Sequence, residues 1–294
     1  MRGSFRSSNI FRLGVLCTFL LIGHLKIQAQ NKVLIIGIDG TRPDALLTAD
    51  TPNLDGLWQN GAYSFRAKTD PLSWSGVCWT SMLTGVWKEK HKVYSNSYEN
   101  PNVKEYPHFF RRAREQKPNL KTYSIANWKP VHNILQENDA VEAVHRKTDA
   151  AVTKQVVRTL KNTDVDVLFL HLDNVDHAGH KYGYALENKK YISAIEKTDK
   201  KVGEIIKALK KRKDYEKENW LILVSTDHGG SGKGHGKDTP EHTTIFYIAS
   251  GKEVTQGEIL KEVNVVDVAV TALKHLEIDI KEEWKLDGKP SGLK

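Results

Sequence analysis

The stretch "KVLIIGID", Lys32 to Asp39, is an almost continuous apolar run. A strand that alternates faces shows this pattern only when both faces are covered, as in a parallel sheet packed between helices. "TYSIAN" (Thr122 to Asn127), "VDVLFLHLD" (Val165 to Asp173), "WLILVSTD" (Trp220 to Asp227) and "TIFYIAS" (Thr244 to Ser250) read similarly. Helical patterns lie between them, at Asp149 to Lys161, after Glu187 and at Val265 to Leu276. After Glu187 the residues Ile192, Ile195, Val202, Ile205, Ile206 and Leu209 recur at three- and four-residue steps. Strands alternating with helices predict an α/β fold, with a mainly parallel central sheet and helices on both faces.

The first thirty residues differ from the rest. Arg2, Arg6 and Arg12 precede the run "LGVLCTFLLIG", "HLKIQAQ" follows it, and no acid appears before Asp39. A basic start, a short apolar core and a small residue at the end predict a signal peptide over residues 1–29, cut after Ala29. The apolar run is too short to span a bilayer comfortably, so no stable membrane anchor is expected after cleavage. Cys17 follows Val15 and Leu16 rather than the small residues expected before a lipidated cysteine. Residues 30–294 then form one domain, with Cys78 as its single cysteine and no internal disulfide. An exported chain without disulfides suits a bacterial periplasm or the medium around the cell.

The formal net charge is +8, of which Arg2, Arg6, Arg12 and Lys26 supply four. The remaining balance is too mild to argue for a nucleic-acid polymer as partner. No sequence signal assigns an oligomeric state.

In open α/β sheets, ligands bind off the carboxyl ends of the strands. Three of the expected strands run into acids there: "DG" at Asp39, "HLDNVDHAGH" from His171 to His180, and "STDHGGSGKGHG" from Ser225 to Gly236. One aspartate at a strand end is usually a helix cap. Three strand ends carrying Asp and His to one edge point instead to a divalent-cation site, for which carboxylate and neutral imidazole are natural ligands. Asp176 and His180 are spaced i, i+4, so one helical turn aims both at one ion. The six candidates are Asp39, Asp176, His180, Asp227, His228 and His235. They are too many for one tetrahedral ion and suit two, about 3.5–4 Å apart. Ser75, in "DPLSWSGVCWTSMLTG", precedes Gly76 and an expected short helix from Val77 to Leu83. A hydroxyl there sees the positive end of the helix dipole and is a candidate nucleophile; a plain helix cap is the alternative.

With these residues in place, the pattern resembles the alkaline phosphatase superfamily, closest to its type I phosphodiesterase/nucleotide pyrophosphatase branch. The resemblance runs from "GIDGTRPD" through "TGVWKEKH", "DHAGHKYG", "STDHGG" and "HGKDTPEHTTIFYIASG" to "DVAVTALKHLEI" and "WKLDGKP". It implies two divalent metal ions, most naturally zinc. One would be held by Asp39, Asp227 and His228 with Ser75 as nucleophile, the other by Asp176, His180 and His235. His242 is the alternative to His235. Asp173 and His177 are expected to hydrogen-bond around the ligands, and Asn96 either donates to a phosphate oxygen or serves in a turn. The implied activity is hydrolysis of a small-molecule phosphoester, a diester by preference, through a covalent phospho-serine.

Two features depart from the branch: serine stands where threonine is usual, and the chain is short. Phosphomonoester hydrolysis is the main alternative. A sulfatase is disfavoured because Val77 and Trp79 stand where its modification motif needs Pro and Arg, and a non-catalytic metal-binding relative is the remaining reading. Trp74, Trp79 and Trp128 are read as packing, with stacking on a substrate base or ring as the alternative, Cys78 as a small buried apolar group, and His91 and His108 as structural.

Overall fold

The computed structural model describes Met1, Gly3 and residues 29–294. Apart from Met1, Gly3 and Ala29, the expected signal peptide lies outside the described residues. No described helix is long and apolar enough to cross a membrane.

Eight strands form one sheet: β1 Gln30–Ile38, β2 Ala62–Lys68, β3 Thr122–Ala126, β4 Glu142–His145, β5 Val167–Leu172, β6 Glu218–Ser225, β7 Thr244–Ser250 and β8 Gly257–Glu258. Their spatial order is β4-β3-β5-β1-β6-β7-β2-β8. β4, β3, β5, β1 and β6 are mutually parallel, and β7 runs antiparallel to both β6 and β2. β7 runs back along β6: residues 226–243 between them carry only the four-residue helix Pro240–Thr243, not the longer helix that normally makes the crossover of a parallel return.

The apolar run of β1 is buried on both faces, and each face has its own core. Val33 and Ile35 join Trp79, Met82, Phe109, Phe110, Ala269 and Leu273 from the helices Ser75–Thr84, Phe109–Gln116 and Asp267–His275. Leu34, Ile36 and Ile38 join Val152, Val156, Ile195, Val202 and Ile205 from the helices Asp149–Asn162 and Lys189–Lys210. Helices therefore cover both faces, as the near-continuous hydrophobicity predicts. Truncating a residue such as Ile35 to alanine in so dense a core costs about 2–5 kcal/mol. Ile192 and Ile206, at the margins of the stripe on the long helix, are only partly buried.

Three strands were not anticipated. β4 and β8 are short edge strands, and β2 alternates buried and exposed positions with a register shift between Ser64 and Ala67. The helix expected from Val77 begins two residues earlier, so Ser75 is its first residue and Trp74 its cap position.

Candidate metal centre

β5, β1 and β6 lie side by side, and Gly37 of β1 pairs with His171 of β5 and Ser225 of β6. The segments leaving these strands therefore emerge together. Asp39 follows β1. Asp176 and His180 follow β5 on the helix Asn174–Tyr182, and Asp227 and His228 follow β6. Gly40 turns with φ +66°, and a Cβ there would lie 2.5 Å from the Asp176 carboxylate. This glycine lets the β1 and β5 segments touch.

The structure brings all six candidate ligands to one place. Asp39, Asp227 and His228 form one trio of donor atoms mutually within 4.8 Å, and Asp176, His228 and His235 form another. The His228 Nε2 lies 3.4 Å from Asp39 Oδ1, 3.2 Å from Asp227 Oδ2 and 3.1 Å from Ser75 Oγ. On the other side, Asp176 lies 3.3 Å from His180 Nε2 and 3.9 Å from His235 Nε2. The His228 and His235 rings stack at 3.7 Å.

The three imidazoles share one arrangement. Nδ1 of His228, His180 and His235 lies 2.8, 3.0 and 2.8 Å from the carbonyls of Gly229, Lys233 and Ser73. A carbonyl only accepts, so each Nδ1 carries a proton and each Nε2 faces the cluster, where His180 donates its Nε2–H to Asp176, a proton that a bound cation would displace. Ligating histidines are commonly oriented by a hydrogen bond of this kind. His242 differs: its Nδ1 accepts from Lys237 N at 3.2 Å and its Nε2 lies 2.8 Å from Ser231 Oγ. Both its nitrogens are engaged away from the cluster, and His235 is the one that enters it.

The carboxylates show why the pocket suits cations. Burial, and next the charge of Asp227, pushes the Asp39 carboxyl well above the ordinary range. Burial, and next the charge of Asp176, does the same to Asp227. Burial also opposes ionisation of Asp176, but the His180 hydrogen bond and the charges of His228 and His235 outweigh it and leave that carboxyl low. His180 is pushed up to about 9, chiefly by its hydrogen bond to Asp176, while burial pulls His235 down to about 3. Asp39 Oδ1 and Asp227 Oδ2 are buried without a hydrogen-bond partner. An unsatisfied buried carboxylate oxygen is costly, and two of them beside an imidazole lone pair and a hydroxyl make a donor set that fits a divalent cation.

Asn96 sits against the nucleophile segment, where its Oδ1 accepts from Gly76 N at 2.7 Å. The NH₂ end of that side chain is not used in this contact. Asp173 Oδ2 lies 3.2 Å from His177 Nε2, and its carboxyl is raised to about 6 by burial and then by Asp39. His91 and His108 are buried and bonded within the core, each Nδ1 accepting from a nearby backbone N–H.

Sequence reasoning passed over three side chains that touch the candidate ligands. The Trp79 indole and His171 each bond to Asp39 Oδ2, at 3.0 and 2.9 Å, and the Tyr184 hydroxyl donates to Asp176. Trp79 reads as packing because indoles usually are. The only available signal for His171 is a histidine two residues before Asp173, in an otherwise apolar run.

Among known proteins, the family model of the metalloenzyme superfamily matches residues 33–280. This chain belongs to the metalloenzyme superfamily. The resemblance to the alkaline phosphatase superfamily, and to its nucleotide pyrophosphatase/phosphodiesterase branch, agrees with this family and with the relatives that the chain matches. Ectonucleotide pyrophosphatase/phosphodiesterase family member 7 of Rattus norvegicus is 24% identical over 233 residues, covering 70% of this chain and 52% of that protein. The bis(5'-adenosyl)-triphosphatase ENPP4 of Homo sapiens is 24% identical over 222 residues, covering 67% and 47%. The chain thus spans about half the length of these curated relatives. In solved structures, the fold is shared with murine ENPP5 (TM-score 0.71, 15% identity, 88% of this chain and 97% of that one). It is also shared with a 2-O glycosaminoglycan sulfatase (TM-score 0.69, 13% identity, 90% and 76%).

Proposed function

We propose that this superfamily member is a two-metal phosphoester hydrolase, preferring small diesters such as nucleotides, with Ser75 as nucleophile. The observation that carries the reading is the convergence of Asp39 Oδ1, Asp227 Oδ2, His228 Nε2 and Ser75 Oγ, with both carboxylate oxygens buried and unpartnered. Asp39, Asp227 and His228 would hold one ion and Asp176, His180 and His235 a second, most naturally zinc. Bound divalent cations supply positive charge that lowers the pKa of a neighbouring hydroxyl and offsets charge developing on phosphate oxygens.

The remaining work falls to the chain itself. Ser75 opens a ten-residue helix whose dipole favours an anion beside its first turn. The Ser75 Oγ–P bond forms as the bond from phosphorus to the leaving oxygen breaks, giving a phospho-serine that water then cleaves. Asn96, pinned by its Oδ1 to Gly76 N, turns an amide N–H toward a nonbridging phosphate oxygen. Trp74, 42% exposed beside Ser75, offers a face for the substrate's organic group.

Two facts support a diester. The arginine that follows the Asp39 turn is committed elsewhere: Arg42 pairs with Asp44 at 2.6 Å and bonds the carbonyls of Tyr184 and Gly230. It is therefore not free to meet the extra charge of a monoester. The relatives' names also point to nucleotide diesters and pyrophosphates. The sulfatase likeness is one of fold, and Val77 and Trp79 still stand where a sulfatase's modification motif needs Pro and Arg.

The test compares bis-p-nitrophenyl phosphate with p-nitrophenyl phosphate on zinc-loaded protein, and then repeats it with Ser75→Ala. The diester is expected to turn over faster, and Ser75→Ala to lose on the order of 10³-fold or more in kcat while keeping its metal. Faster monoester cleavage overturns the diester preference. Full activity in Ser75→Ala removes the nucleophile assignment.

A further inference from the structure

We propose that Trp79 and His171 are positioning residues that hold Asp39 in a one-oxygen presentation to a cation. This rests on the reading of Asp39 as a metal ligand. The two oxygens of that carboxylate live in different surroundings. Oδ2 lies 3.0 Å from the Trp79 indole nitrogen and 2.9 Å from His171 Nε2. Oδ1 is buried without a hydrogen-bond partner and faces His228. The indole nitrogen only donates. The His171 Nδ1 takes the Trp128 N–H at 3.4 Å, which leaves the ring proton on Nε2, aimed at Asp39. Two N–H donors on Oδ2 stop the carboxylate from rotating or chelating with both oxygens, and leave Oδ1 as the ligand atom.

The fold builds this clamp from one missing side chain. Gly37 lies on β1 and Asp39 is the first residue past it, still bonded to Leu172 of β5 through its backbone N–H, so the two share a face of the sheet. His171 pairs with Gly37 on the neighbouring strand and points the same way. A Cβ at position 37 would lie 2.4 and 2.7 Å from Cη2 and Cζ3 of Trp79. The indole therefore occupies the space that any other residue at 37 would fill. It meets the His171 ring edge-on at 4.9 Å. Trp79 and His171 are both fully buried, so water does not compete for the Asp39 oxygen.

The experiment measures zinc affinity of the full chain by competition with a chromophoric chelator. It covers the unchanged protein, Trp79→Phe, His171→Phe, His171→Gln and Asp39→Asn, with cobalt(II) absorption as a second readout. Trp79→Phe and His171→Phe are expected to weaken zinc binding about 10–100-fold, to reach the same stoichiometry at saturation, and to shift the cobalt bands. His171→Gln carries an amide N–H close to the lost Nε2–H and is expected to recover most of the affinity. The proposal is overturned if both phenylalanine variants bind zinc as tightly as the unchanged chain. It is overturned equally if His171→Gln and His171→Phe both lose one ion at saturation, because His171 is then itself a ligand. If Asp39→Asn leaves zinc affinity intact, the parent reading of Asp39 falls. If Asp39→Asn loses an ion while the phenylalanine variants do not differ, only the clamp falls. Melting of the metal-free variants reports folding, and should His171→Phe not fold, Trp79→Phe and His171→Gln decide the matter.

Discussion

The two ends of the central sheet each bury acids, and they treat them in opposite ways. At the amino-terminal edge, Lys32 is fully buried and its Nζ lies 3.0, 2.8 and 3.6 Å from Asp164, Asp166 and Glu218. Arg212 meets Glu218 at 2.8 Å. There the chain supplies its own cations. At the carboxyl edge, Asp39, Asp176 and Asp227 converge with histidines and a serine, and no lysine or arginine is ion-paired with them among the described residues. Burial alone therefore does not mark a metal site. What marks it is buried negative charge left uncompensated by the chain, with two carboxylate oxygens unpartnered.

The strongest way to break this contrast is to remove the internal cation. Lys32→Met leaves Asp166 and Glu218 buried without their ammonium, and is expected to cost about 3–5 kcal/mol in stability, with or without metal. Denaturant melts with and without a chelator check it. A loss that appears only in the presence of metal would show the two ends to be coupled.

Next, Asp227→Asn is expected to lose an ion and to lower the proposed cleavage of bis-p-nitrophenyl phosphate about 10²–10³-fold, read by elemental analysis and initial rates. The same change should leave the metal-free protein as stable or more stable, since it removes a carboxylate that burial and Asp176 hold out of its ordinary range. Lys32→Met and Asp227→Asn thus move metal-free stability in opposite directions.

A pH series sharpens the point. The folded pKa values of Asp39 and Asp227 are raised. At these two positions the folded metal-free protein keeps protons that the unfolded chain has lost above the ordinary carboxylate value of 3.8. Their contribution to its stability falls as pH rises through that region, while metal binding strengthens as competing protons leave. The gap in melting temperature between zinc-loaded and chelated protein should therefore be wider at pH 8 than at pH 5; a gap that narrows would count against cation binding by these acids.

The smallest effect belongs to the open side of the pocket. The His180 side chain is 45% exposed, against 0% for His228. His180→Ala is expected to weaken metal binding about 10-fold and to change folding stability by less than about 1 kcal/mol. Titration calorimetry and a thermal melt measure the two.

Some of this was legible in the residues. The near-continuous hydrophobicity of Lys32 to Asp39 demands covered faces, and two cores flank β1. The i, i+4 spacing of Asp176 and His180 holds on the helix Asn174–Tyr182. β7 was read as one more strand, but its direction depends on the loop from 226 to 243 and not on its own composition. The choice between His235 and His242 was open in one dimension. It turns on which ring has a free Nε2: the Ser73 carbonyl, 162 residues away, takes only the Nδ1 of His235, whereas Ser231 and Lys237 engage both nitrogens of His242.

Sequence by itself determined the covered sheet and the acids at its strand ends, because hydrophobic period and residue chemistry are local properties. Only the tertiary structure decided that Gly37 makes room for Trp79, that His171 stands level with Gly37, and that both donors meet on one oxygen of Asp39. Those facts are distances between segments far apart in the chain, 132 residues for the contact of Asp39 with His171, and strand register and packing alone set them.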